Sequence, residues 1–238
     1  MAVVEWKKDE SVAVIVMNTV ENRHNPDFFA GMLGVLDEIE KDKDISSVVI
    51  TSSDAKSWSQ GIDLVWMTGA MERKDFASIR KFMYDMDGMF KRILLFPMPV
   101  IAAINGHTFG NGSILACTCD FRFMKADRGF FCFPEVDVNI PFLPGMLQIL
   151  RKAIPYYKLQ ELVFSGKRVG AMELEEHHVI VKACADADEL MRESLAYART
   201  YRKGRSIFGQ LKARLHKHII ETMDKEDPAF IEPLNLMV

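Results

Sequence analysis

Residues 99–120, PVIAAINGHTFGNGSILACTCD, constrain the fold more than any other stretch of this chain. An apolar, strand-like run ends at Ile104, a glycine-studded turn follows, and a helical pattern begins at once. Gly106, Gly110 and Gly112 leave the main chain bare for close approach, and a helix starting there aims free N–H groups at an anionic oxygen. A second turn of this kind, residues 57–64 (SWSQGIDL), follows the short apolar strand pattern at 48–51. Two strand–turn–helix junctions, each offering one N–H, point to an oxyanion hole and so to chemistry on a carbonyl compound.

Strand and helix patterns alternate over the first two-thirds of the chain and helices dominate afterwards, which predicts an α/β core with a helical tail. Strands are expected at 3–7, 11–18, 48–51, 121–124 and 129–133. Asn25-Pro26 reads as a helix start, Asn capping and Pro in the first position, with Phe29, Met32, Leu33 and Leu36 as its apolar face. Further helices are expected over 73–96, 145–154, 156–164 and 187–223, the last broken near Gly204. No linker divides the 238 residues, and 49% hydrophobic content suffices for one substantial core.

Composition excludes several classes. With 30 basic against 33 acidic residues the net charge is −3, so no global field favours nucleic acid or an anionic membrane. No apolar run approaches the roughly 18 residues that cross a bilayer. The opening ten residues lack a signal-peptide core and the final NLMV is not a peroxisomal address, so a soluble cytoplasmic protein is expected. Cys117, Cys119, Cys132 and Cys184 read as buried thiols, and the six histidines show no metal-ligand spacing, so no metal is expected. The glycine turn is not a dinucleotide fingerprint, because Leu115 occupies the place of its third glycine. Ser113 is not in a nucleophile elbow, and no P-loop precedes Lys167.

Three motifs together resemble the crotonase superfamily, the enoyl-CoA hydratase/isomerase group: SxGxDL at 59–64, INGHTFGNG at 104–112 and FPEVDVNIP at 133–141. ENRHNPDFF at 21–29 fits that group's early asparagine-containing turn. The resemblance covers residues 3–185. It implies a crotonase-like spiral of ββα units over residues 1–185 and a helical C-terminal trimerisation region over 186–238, assembling as a homotrimer or a hexamer. It implies that the N–H groups of Ile62 and Asn111 form the oxyanion hole for an acyl-CoA thioester, with CoA as part of the substrate and no separate cofactor. Substrate-binding positions implied with it are Ser57, Ser59, Gln60, Gly61, Asp63, Leu64, Gly110 and Asn139, with Asp63 tying the turn or the following helix start.

Departures from the group's pattern point to the reaction. Typical hydratases of the group carry two glutamates; here Ile114 stands at the first position, while the second survives as Glu135. Adding water across a double bond wants two positioned acid/base groups. Moving a double bond wants one, a carboxylate that takes a proton from C2 and returns it at C4. The pattern therefore resembles Δ3-Δ2-enoyl-CoA isomerases, with Glu135 as the catalytic residue. Hydration, thioester hydrolysis or decarboxylation on the same scaffold stand as alternatives, as does a non-catalytic acyl-CoA binder. Asp137 supplies a second carboxylate on the side of Glu135 only if its segment is extended. Phe82, Met83, Met86, Met89 and Phe90 read as core, and His107 as packing under the turn. Lys56, Arg73 and Lys74 are open to two readings, CoA-phosphate contacts or solvated charges, while Arg199, Arg202, Lys203 and Arg205 read as a solvated helix face.

Overall fold

Strand residues that alternate along the sequence are shared between two cores, and that split explains the architecture. The computed structural model describes residues 2–236; Met1 and the last two residues of the NLMV terminus lie outside them. In chain order the elements are β1 (Val4–Asp9), β2 (Val12–Met17), α1 (Pro26–Lys41), β3 (Ser47–Ser52), β4 (Ser57–Ser59), α2 (Leu64–Glu72), α3 (Phe76–Leu94), β5 (Val100–Ile104), β6 (His107–Phe109) and α4 (Asn111–Thr118). There follow β7 (Phe121–Lys125), β8 (Phe131–Cys132), α5 (Glu135–Val138), α6 (Pro144–Ala153), α7 (Tyr156–Ser165), α8 (Ala171–Glu176) and β9 (Lys182–Cys184). Four helices close the chain: α9 (Ala187–Arg199), α10 (Arg205–Leu215), α11 (Lys217–Lys225) and α12 (Pro228–Ile231).

A six-stranded sheet runs in the order β1-β2-β3-β5-β7-β9, with only β1–β2 antiparallel. Its inner strands are near-continuous apolar runs because both faces are covered. Val48, Ile50, Val100, Ala102 and Ile104 point to the larger core, shared with α1, α3 and α4; Val49, Ile101, Ala103 and Phe123 point to a smaller one, closed by Leu190 and Ala198 of α9. A second, three-stranded parallel sheet, β4-β6-β8, carries the turns of interest, and Ser57 pairs with His107 across it. The α/β class and the C-terminal helices are as expected, and none of the described helices is long and apolar enough to cross a membrane.

Several boundaries differ from expectation for local reasons. The helix expected over 73–96 starts later, at Phe76: a separate helix, α2, ends at Glu72, Lys74 adopts a positive φ of 55°, and Asp75 caps α3 by accepting from Ser78 N–H. The 187–223 pattern breaks again at His216, beyond the expected break near Gly204. Arg205 is not on a solvated face: it donates to the carbonyls of Glu40, Asp42 and Ile45 and so ties α10 to the C-terminal end of α1. Arg199 pairs with Asp9 and Glu10. All four cysteines are buried and free, and the Phe/Met face of α3 is core.

The C-terminal helices are also fastened to α3 by an acid pair. Asp87 on α3 and Asp227, ahead of α12, are both buried, and Gly145 N–H donates to Asp227. Burial, reinforced by the Asp227 charge, pushes Asp87 up to about 8, and burial pushes Asp227 up to about 6. At neutral pH the proton therefore sits on Asp87, with Asp227, Lys91 and Asp224 as the neighbouring charges. An Asn side chain imitates the protonated acid without ever ionising. Asp87→Asn is expected to raise stability by about 1–3 kcal/mol at pH 8. The gain shrinks as pH falls and vanishes below the ordinary carboxylate value of 3.8; thermal melts across pH check it, and a gain that grows toward acid refutes it.

Candidate active site

The two turns meet with no room between them. Gly61 has a positive φ of 76°, and a Cβ there would lie 2.8 Å from Phe109 O and 3.0 Å from Asn111 N. The glycine is thus demanded twice, by conformation and by contact. Ile62 follows it, and its place is held by main-chain bonds on either side: His24 N–H donates to Gly61 O at 2.7 Å and Asp63 N–H donates to His24 O at 2.9 Å. In such a parallel bridge the N–H of Ile62 itself points away from His24, and it donates to no group among the described residues. Asn111 is the first residue of α4, so its N–H has no intrahelical acceptor and is likewise free among the described residues. The two open N–H groups flank the point where the turns touch.

Glu135 comes to the second turn. It opens α5, and its Oε1 lies 3.2 Å from where a Cβ on Gly110 would sit. Its Oε2 is shielded from solvent with no hydrogen-bond partner. Burial pushes the carboxyl up to about 7. Asp137 does not join it, because the segment is helical rather than extended; its carboxylate sits against Gly166, at the end of α7. Ile114 lies buried in α4.

The remaining candidates divide into supports and surface. Ser57 and Ser59 are fully buried; Ser57 Oγ accepts from Gln60, and Ser59 Oγ donates to Asn22 O while accepting from Gly61 N–H. Asp63 caps α2, accepting from the N–H groups of Val65 and Trp66 at 3.1 Å, and Asn25 donates to its other oxygen. Leu64, the first residue of α2, is exposed. Asn139 ends α5 in the left-handed conformation, which Asn tolerates, and is exposed. His107 packs between Phe109 and Phe130. Two residues not singled out as site candidates also enter: Asn22, buried and donating to Ser52 Oγ and Trp58 O, and His24, buried between the turns. Both lie in the ENRHNPDFF stretch that fits the group's early turn, but nothing in that stretch assigns a role to either.

A model of the enoyl-CoA hydratase/isomerase family matches residues 7–229. The chain belongs to that family. It is 30% identical over 171 residues to the peroxisomal enoyl-CoA delta isomerase 2 of Arabidopsis thaliana, covering 71% of each chain. It is 29% identical over 198 residues to a probable enoyl-CoA hydratase of Mycobacterium bovis, covering 82% of this chain and 73% of that one. A crystal structure of an enoyl-CoA hydratase/isomerase family protein from Pseudomonas syringae superposes with a TM-score of 0.87 at 21% identity, covering 97% of each chain, and shares the crotonase fold. The protein is accordingly an enzyme of the enoyl-CoA hydratase/isomerase family.

For an enzyme of this family, a carboxylate with a shielded, unpartnered oxygen is a cost to the fold. Glu135→Gln is expected to stabilise the protein by about 1–3 kcal/mol above pH 7, where the native carboxyl is charged. The gain declines below pH 7 and is lost under the ordinary value of 4.5. Denaturant unfolding at pH 8 and pH 4 reads it; equal effects at both refute the burial argument.

Proposed function

We propose that the protein is a Δ3-Δ2-enoyl-CoA isomerase. The observation that carries the reading is one half-buried carboxylate with a shielded, unpartnered oxygen, Glu135, set beside the second turn, while Asp137 faces α7, Ile114 is apolar and Asp63 is committed to the amides of α2. The substrate is a 3-enoyl thioester of CoA, which brings the only CoA needed and calls for no further cofactor. Its carbonyl oxygen accepts from the Ile62 and Asn111 N–H groups. Glu135 takes a proton from C2; the electron pair forms an enolate whose charge rests on that oxygen. The protonated Glu135 then returns the same proton at C4 as the C3–C4 double bond moves to C2–C3, so no atom is gained or lost. Each N–H donor contributes about 3–4 kcal/mol to such a transition state. A carboxyl near 7 suits both halves, since it is a base strong enough to take the proton and an acid strong enough to return it.

Purified enzyme is expected to convert 3-enoyl-CoA into 2-enoyl-CoA, with kcat/KM rising with pH along a limb at about 7 as Glu135 ionises. Glu135→Gln should lower turnover by about 10²–10⁴-fold, with acyl-CoA affinity changed little. Rapid conversion of 2-enoyl-CoA into a hydroxyacyl product would instead favour a hydratase, and full turnover by the Gln variant would remove the assignment.

Self-association is proposed with this function. Ile207, Leu211 and Leu215 are exposed at four-residue spacing on α10, an apolar face that supports a homotrimer or hexamer. Light scattering should give three or six times the 27.1 kDa of one chain; a monomer at micromolar concentration overturns it.

A further inference from the structure

One side chain links the two turns, and it lies outside the residues assigned above. His24 is fully buried and stacks on Phe28 with ring centroids 4.4 Å apart and planes inclined by 20°. Its main chain brackets Ile62 on both sides, through Gly61 O and Asp63 N–H. Its ring reaches the other turn: Nδ1 lies 2.7 Å from Asn111 Nδ2, and Nε2 lies 3.0 Å from Ser59 Oγ.

The partners dictate the protonation state. Ser59 Oγ spends its proton on Asn22 O at 2.8 Å, so toward His24 it is an acceptor and Nε2 carries the hydrogen. Nδ1 is then bare and accepts from the Asn111 amide. Both ring nitrogens are used, and the buried imidazole is neutral, held down to about 3 by desolvation. Nothing in the network moves a proton under working conditions. A residue so placed is suited to hold two objects at a fixed separation, and the objects are the two N–H-bearing turns.

We propose that His24 is a positioning residue for the oxyanion hole: with its main chain on the Ile62 turn and its ring on the Asn111 side chain, it sets the mutual placement of the two N–H donors and hence how strongly they polarise the thioester carbonyl. The inference rests on the proposed acyl-CoA function. It assigns a role to Asn111's side chain as well, since the amide that His24 grips belongs to the residue whose N–H is the second donor. Small displacements of such donors matter because the hydrogen bonds strengthen as charge develops on the oxygen, whereas ground-state binding spreads over the whole ester.

The test uses the full chain and butyryl-CoA labelled with ¹³C at the carbonyl, read by isotope-edited infrared difference spectroscopy. In the wild-type enzyme the bound C=O stretch should fall below its value in water. His24→Phe keeps the stacking on Phe28 but removes the grip. It is expected to lose at least half of that displacement and to lower kcat by about 10–100-fold, a loss of transition-state stabilisation, with KM and butyryl-CoA Kd within about threefold. His24→Gln, which retains a donor and an acceptor, should recover part of both losses. Asn111→Ala cuts the same link from the other end without touching the N–H, and should reproduce the His24→Phe effects; it also serves if the Phe variant fails to fold. The His24→Phe/Asn111→Ala double variant should be no worse than the poorer single one, as a shared link requires. A wild-type displacement that survives intact in His24→Phe and Asn111→Ala overturns the positioning role while leaving the isomerase reading standing. A wild-type enzyme that binds the ester with no displacement overturns both.

Discussion

The molecule is organised around a main-chain contact between two turns. Strands β4 and β6 are parallel neighbours, so the segments leaving them emerge side by side. At Gly61 the gap closes until a methyl group would overlap Phe109 O and Asn111 N. Because the contact is backbone on backbone, it fixes positions to a degree that flexible side chains do not. The surrounding polar residues follow from it. Asp63 must cap α2 immediately after the contact, Ser59 must satisfy the Gly61 N–H, and Asn22 must absorb groups that the turn leaves buried. Ser57 and Ser59, which the motifs alone present as substrate contacts, are in this sense parts of the frame.

The opposite end of α4 completes the electrostatics. Its N-terminal N–H groups face the site, and its C-terminal carbonyls meet two cations. Lys152 Nζ donates to the carbonyls of Cys117, Thr118 and Cys119 at 2.8–3.0 Å, and the Arg122 guanidinium takes Cys119 O at 2.9 Å. Burial lowers Lys152 to about 8, which leaves it charged at neutral pH. Positive charge at that end offsets the negative pole of the helix. It leaves the N-terminal donors, one of them Asn111 N–H, as the unpaired positive pole of α4.

What the sequence disclosed and what it withheld have physical explanations. Buried parallel strands announce themselves as apolar runs, and the turns as glycines after those runs, so the α/β class and the placement of Gly61, Gly110 and Glu135 were all readable. Of the two roles that the resemblance implied for Asp63, tying the turn or the following helix start, the structure shows the helix cap, an interaction local in sequence. The direction of Asp137 was not legible, since it depends on whether four residues coil or extend, and that is decided by packing against α7. Arg205 looked like one charge among several, because its role depends on the carbonyls of α1, some 160 residues away. His24 had no signal beyond its neighbours. Its ring contacts a side chain 87 residues distant, and a single sequence carries no trace of such a pair.

Desolvation acts on Glu135 and His24 alike, yet it produces opposite chemical characters. It raises the acid to about 7 and lowers the base to about 3, in each case favouring the neutral form. The difference lies in what remains unsatisfied. Glu135 keeps a shielded oxygen with no partner, so its energy changes sharply when a proton arrives or leaves, and its value lies where both events are easy. His24 has both nitrogens bonded, and its value lies far from any working pH, so it neither gains nor loses a proton. Within one small region the same apolar surroundings therefore leave a carboxyl that exchanges its proton near neutrality and an imidazole held neutral. Hydrogen-bond saturation, rather than residue type, separates the two: an imidazole is the commoner acid/base group in enzymes, but here the carboxyl has the open valence.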